Sequence, residues 1–191
     1  MVGARWEFSI KGLHAANKNA RRRLPLSPEL LEFSRRNLGI DKTGNERKFD
    51  RAWAAKLIGF MFLLRAIELA AITVKEVTFG ERAGARYIRI FIRKSKTDQE
   101  EFGAFRSLGG TGNPLRPYRR MEMRMAREQF ENRDDPVFRD GILGLVTRLI
   151  KSAVSEHNLP SDKFSIHSLR PGGATRLYHS GADIEYVRRF G

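Results

Sequence analysis

Phe164-Ser165-Ile166-His167-Ser168-Leu169-Arg170-Pro171-Gly172-Gly173-Ala174-Thr175 is the stretch on which the fold turns. His-x-x-Arg carries little meaning alone. Its context carries more. On a helix starting here, His167 and Arg170 project in the same general direction, as positions three apart do. Gly172, Gly173 and Ala174 let that helix lie close against a neighbour and press Arg170 toward a shared pocket. Residues 161–181 therefore read as a loop followed by a helix, and residues 183–190 begin a last one.

Upstream, the apolar period is mostly helical. Ser27-Pro28-Glu29 is a helix start: a capping hydroxyl, a proline at the first helical position and an acid at the positive helix end. Leu30, Leu31 and Phe33 supply its buried face, and Gly39 marks its stop. A second helix is expected over residues 48–64, with Trp53, Leu57, Phe60, Met61 and Leu64 nearly encircling its axis, which makes it the central one. A short helix over 67–72 follows. The period then switches to two. Residues 87–93, Tyr-Ile-Arg-Ile-Phe-Ile-Arg, alternate as a half-exposed strand does, and a weaker strand covers 102–108. Residues 81–85, with Gly84, form the turn before the first strand. Helical composition returns over 114–130 and 141–157. The expected class is mainly α with a small antiparallel β-sheet insert (α+β).

The 191 residues carry 36 Lys plus Arg against 22 Asp plus Glu, a formal net charge of +14. That surplus favours a polyanionic partner, nucleic acid first, with an anionic membrane surface or bare solubility as the plainer readings. There is no cysteine, which removes disulfides, thiolate metal sites and cysteine nucleophiles together. The first ten residues lack the apolar run of a signal peptide. The longest such run, residues 57–64, is far short of the ~20 that a membrane span needs. Residues 1–23 read as a basic N-terminal arm or linker containing Arg21, Arg22 and Arg23. Such a run is either a solvated linker, a strap on phosphates or a nuclear localisation signal.

Three basic elements stand out. Arg65 interrupts an apolar run, and by itself is explained by a pair with Glu68 or by a stem laid along apolar surface. Arg93 and Lys94, with Lys96 close behind, occupy the turn between the two expected strands. Turns are commonly Lys-rich, yet a hairpin tip held by a sheet also reaches into a nucleic-acid groove. His167 and Arg170 complete the set. Converging in one cleft, these cations would bind phosphate, because two guanidiniums offer a fork geometry that an ammonium cannot reproduce.

Taken together, Arg65 with Glu68-Leu69, Ser95-Lys96-Thr97 on a strand turn, and His167-Ser168-Leu169-Arg170 with Gly173-Ala174-Thr175 resemble the tyrosine recombinases, the phage-integrase family, in order and approximate spacing. Pro136-Val137-Phe138 is similar to the family pattern as well, and residues 95–99 resemble recombinases of eukaryotic mobile elements. The resemblance covers residues 24–191 and implies the family's catalytic-domain fold. It implies that Arg65 and Arg170 grip the scissile phosphate, that Lys96 (with Lys94 its near competitor) protonates the departing 5′ oxygen, and that His167 hydrogen-bonds the phosphate or assists proton transfer. Arg21, Arg22, Arg23, Arg93 and Lys94 are the expected further DNA contacts.

The implied partner is double-stranded DNA, with a homo-oligomer on DNA left open, no membrane and no cofactor. The implied compartment is the nucleus in a eukaryote and otherwise the cytoplasm. Departures are Ile67, where the family has Gly or Ser, and Pro171 directly after Arg170. The family's nucleophilic Tyr and its preceding core-binding domain find no counterpart, since Tyr87, Tyr118, Tyr178 and Tyr186 all miss the nucleophile position. The expectation is a C-terminally truncated domain, inactive alone in DNA integration and recombination. A non-catalytic DNA-binding or regulatory relic of a mobile element, a type IB topoisomerase relative and a basic RNA-binding protein are the alternatives.

Overall fold

The helix α2, Glu46–Met61, is the element on which the others pack. In the computed structural model, which describes residues 23–36, 46–93, 103–109, 117–139 and 141–190, every residue from Ala52 through Phe60 is buried. Helices α4 (Pro117–Arg127), α5 (Ile142–Glu156) and α6 (Leu169–His179) pack against it, and α1 (Pro28–Arg36) lies on α5. The central role of α2 follows from apolar residues on nearly all its sides. Two short helices, α3 (Ala66–Ala70) and α7 (Ile184–Phe190), complete the helical part.

Local chemistry sets the ends of these helices. Ser27 Oγ accepts the Leu30 backbone N–H at 3.2 Å, so α1 starts where the Ser-Pro-Glu signal puts it. By contrast α2 stops at Met61, three residues before the expected end. Leu63 there takes a left-handed backbone, φ 52°, and the Phe62 and Leu63 carbonyls accept the Arg106 guanidinium at 2.6 and 3.2 Å. A side chain distant in sequence thus satisfies carbonyls that a longer helix would have used, and helical periodicity carries no trace of it.

The sheet is antiparallel with order β1-β2-β3: Val77–Arg82, Ala85–Ile92 and Ala104–Gly109. β2 is the alternating segment, with Ile88, Ile90 and Ile92 buried on one face. β1 takes in Glu81 and Arg82, which read from the sequence as part of the turn over 81–85. Its alternation is interrupted by Gly80 and by the Glu81-Arg82 pair, and full pairing with β2 makes it a strand. A bridge between Thr73 and Pro136 ties the sheet's entry to the loop after α4. Among the described residues no helix is long and apolar enough to cross a membrane.

The glycine pair of α6 is explained by close approach. A Cβ on Gly172 would lie 2.1 Å from the Leu26 carbonyl oxygen, and one on Gly173 would lie 1.9 Å from the Phe60 carbonyl oxygen. The first contact is reinforced by the Leu26 N–H donating to the Ser168 carbonyl at 3.0 Å and the Leu24 N–H to Lys163 at 2.9 Å. Backbone cannot rotate aside as a side chain can. Gly173→Ala is expected to cost about 1–3 kcal/mol or more through overpacking. A thermal melt that leaves the midpoint unchanged would refute this tight seating of α6 on α2.

Candidate functional site

Glu68, on α3, is the hub. It is 4% exposed, and its carboxylate accepts the Arg65 backbone N–H at 2.8 Å and an Arg65 guanidinium N–H at 2.6 Å. Arg65 sits just ahead of α3 in extended conformation, so its N–H and side chain reach the same acid. Arg170, from the first turn of α6, brings its Nη1 to 3.8 Å from the other oxygen of Glu68. Arg106, on β3, is buried and adds its positive field to the same carboxylate. One acid thus faces three guanidiniums drawn from three parts of the chain.

The electrostatics follow from that count. Burial pushes the Glu68 carboxyl up, but the Arg65 N–H and guanidinium together with Arg106 outweigh it and hold the pKa below the usual range. Burial pushes Arg170 down, and the neighbouring Arg65 charge adds to this, while Glu68 opposes it. Arg106 is likewise lowered by burial, with Glu68 again offsetting it. Both remain charged, since guanidinium starts so high. Arg170 Nη1 is buried and has no hydrogen-bond partner among the described residues; 3.8 Å is an ionic contact, not a hydrogen bond. These four side chains sum to two positive charges, and among the described residues the Arg170 Nη1 donor has no acceptor. An anion fits that balance.

His167 is exposed and lies on the 3-10 turn Ile166–Ser168, immediately before α6 rather than on it. Ser165 caps the turn, accepting the His167 backbone N–H at 3.2 Å. Pro171 is the third residue of α6, within the first turn, where backbone N–H groups have no intrahelical partner. Arg65 and Arg170 are therefore brought together, with His167 three residues before Arg170. Lys94 and Lys96 lie outside the described residues, as do Arg21 and Arg22. Arg23 is exposed and donates to the Asp162 carbonyl.

Arg93 is exposed and makes contacts of its own. Its guanidinium pairs with the buried Glu76, donates to Thr73 Oγ1 at 3.2 Å and comes within 4.0 Å of Asp134. These contacts tie the end of β2 to the Thr73 bridge. Arg106 was not singled out from the sequence. It occupies a strand position facing Ile90 on the inner face, where alternation calls for an apolar residue, and that break in the pattern is the signal that marks it.

No protein-family model matches the sequence, and no curated protein does. Solved structures match across nearly the whole chain. XerH site-specific recombinase bound to difH substrate in a pre-cleavage complex matches with TM-score 0.63 at 18% identity, over 93% of this chain and 49% of that one. A Flpe–Holliday junction complex matches with TM-score 0.65 at 11% identity, over 95% and 45%. The Tn1549 transposon integrase in complex with transposon right end DNA matches with TM-score 0.55 at 18% identity, over 96% and 62%. The fold is that of the tyrosine-recombinase catalytic domain. This chain spans about half the length of the first two structures.

Proposed function

We propose that this chain is the phosphate-gripping domain of a site-specific tyrosine recombinase or integrase acting on double-stranded DNA. One observation carries the reading: Arg65 and Arg170, 105 positions apart in sequence, meet on one buried carboxylate. In this reading the two guanidiniums hold the non-bridging oxygens of the scissile phosphate. Glu68 fixes their spacing, and Arg106 fixes the end of α2 from which Arg65 emerges. Charge that builds on the phosphorus oxygens during transfer is met by donors already in place, which is where preorganised sites gain most. His167 adds a hydrogen bond from the exposed side, and Lys96 gives its proton to the departing 5′ oxygen. Attack by a Tyr would leave a 3′-phosphotyrosyl link, resolved by the 5′ hydroxyl of a second strand.

A second reading, grip without cutting, is favoured by where the tyrosines lie. The Tyr118 hydroxyl donates to Glu122 at 3.2 Å, and the Tyr87 ring lies on Gly80. Tyr178 packs edge-on to His179 and Tyr186 stacks on Phe190, both largely exposed. A covalent band with nicked duplex, lost in Tyr178→Phe or Tyr186→Phe, decides for cutting by this chain. Its absence shows that none of these four tyrosines cuts.

Both readings share a test. Duplex affinity is expected to fall steeply between ~50 and ~200 mM salt as phosphate counterions are released. Arg170→Lys keeps the charge and loses the fork, and is expected to lower duplex affinity about tenfold. Flat affinity across the salt range, or an unchanged dissociation constant in a folded Arg170→Lys, would remove phosphate grip from the account.

A further inference from the structure

The outer face of the sheet is not used by the Glu68 cluster, and its composition is unusual. β2 buries Ile88, Ile90 and Ile92 inward, so Tyr87, Arg89 and Phe91 point the other way. The pairing register sets Phe91 opposite Phe105 and Arg89 between Thr78 and Ser107. The Phe91 and Phe105 rings stand 4.8 Å apart, tilted by 46°. Arg89 spans the gap to Tyr87: its guanidinium is 5.4 Å from the Tyr87 ring centre and 5.6 Å from that of Phe105. Its Nε donates to Ser107 Oγ at 3.3 Å, which fixes the plane.

Two glycines make this surface flat. A Cβ on Gly80 would strike the Tyr87 ring at 2.5 Å, and one on Gly103 would strike the Phe91 ring at 2.5 Å. Both rings therefore lie down along the backbone instead of standing off it. Phe105 remains 64% exposed, an unusual state for a phenylalanine with neighbours available. The three strands hold one acidic residue, Glu81, and it falls on the opposite parity, as cross-strand neighbour of Arg86. Among the described residues, the outer face of the strands thus offers aromatic planes, a stacked guanidinium and hydroxyls, and no carboxylate.

We infer that this face binds single-stranded DNA, with unpaired bases stacking on Phe105 and Phe91 and a backbone phosphate meeting Arg89. The reasoning is charge and shape. A purely apolar protein partner would leave Arg89 without a counter-charge, whereas a duplex hides the base planes that the exposed ring could stack on. Unpaired nucleotides supply planes and anions at a repeat that a sheet can match. The face stands apart from the Glu68 cluster, so it does not depend on phosphate being held there.

The test uses the full chain with Phe105→Trp and an oligo-dT of about 15 nucleotides. Titration is expected to quench the added Trp, relative to the unsubstituted chain, and heparin, a polyanion without bases, is expected not to. Phe105→Ala and Arg89→Gln, both checked for an unchanged far-UV spectrum, are each expected to weaken oligo-dT binding at least about fivefold. Duplex affinity should change by less than about half as much on the logarithmic scale. Equal quenching by heparin, or undiminished oligo-dT binding in both variants, overturns the inference. So does sedimentation showing concentration-dependent self-association that Phe105→Ala abolishes, because the face would then be an interface between copies. Capture of an acidic peptide in preference to oligo-dT overturns it as well.

Discussion

Glu68→Gln is expected to destabilise the protein by about 3–5 kcal/mol, the usual cost of removing one partner from a buried ionic cluster. For a chain of this size that is a fall of roughly 6–20 °C in melting temperature. Gln keeps the shape and can still accept the Arg65 backbone N–H, so the loss isolates the charge. Without the carboxylate, Arg65, Arg106 and Arg170 face one another in a partly desolvated space with that countercharge gone. The same group sets an acid dependence. Its folded pKa is lowered, so its stabilisation is complete above the ordinary carboxylate value of 4.5 and is lost as pH falls through the folded value. The parent should therefore lose stability faster than Glu68→Gln below pH 4.5. Sulfate or short duplex DNA should restore more of the variant's melting temperature than they add to the parent's, since an anion replaces the missing charge. A variant melting within about 2 °C of the parent would show that the cluster is solvated and weak.

The arrangement explains why the pair of Arg65 with Glu68 and the phosphate reading are not rivals. In isolation the ion pair explains Arg65, which sits just ahead of α3 and three residues from its partner. Arg170 changes the sense of that pair, because a single acid cannot neutralise two guanidiniums and a third, Arg106, approaches from the sheet. The acid holds the cations in position while leaving them a surplus. Local sequence reveals the pair. Only the seating of α6 reveals how the cations converge, and that seating depends on Gly173 meeting the Phe60 carbonyl of α2 and Gly172 meeting the Leu26 carbonyl ahead of α1.

Much of the fold is legible along the chain because its signals are local. The Ser27 cap, the encircled α2, the alternation of β2 and the glycine pair of α6 each act within a few residues. Three features were not legible for the opposite reason. The early stop of α2 is set by Arg106, more than forty positions away. β1 exists through pairing with β2, not through its own alternation. Arg93 looks like a free hairpin cation, yet its charge is engaged by Glu76 and Asp134 from outside the hairpin. In the site, the residue types were readable but their common focus was not. Glu68 appeared only as a neighbour of Arg65, and Arg106 escaped notice in a strand of weak pattern.

Lys56→Met is expected to stabilise the protein by about 1–4 kcal/mol at neutral pH. Lys56 is fully buried on α2, and its Nζ meets Ser34 Oγ at 2.7 Å, the Ser34 carbonyl at 3.3 Å and the Trp53 ring at 5.3 Å. A hydroxyl, a carbonyl and an indole face carry no countercharge, so burial alone draws the pKa down to about 7. The sign follows from linkage. Below about pH 7 the ammonium is charged in both the folded and unfolded chain, and the burial penalty is fully present. As pH rises from about 7 toward 10.5 the folded chain sheds its proton first and the penalty fades. Methionine has nearly the same length and no charge to desolvate. It leaves Ser34 satisfied, because that hydroxyl already donates to the Leu31 carbonyl at 2.7 Å. The difference in unfolding free energy between Lys56→Met and the parent should be largest near pH 6 and shrink steadily toward pH 10. A difference that stays constant across that range would mean that Lys56 keeps its proton in the folded chain, and a variant that melts below the parent at pH 6 would mean that its bonds to Ser34 are worth more than its desolvation.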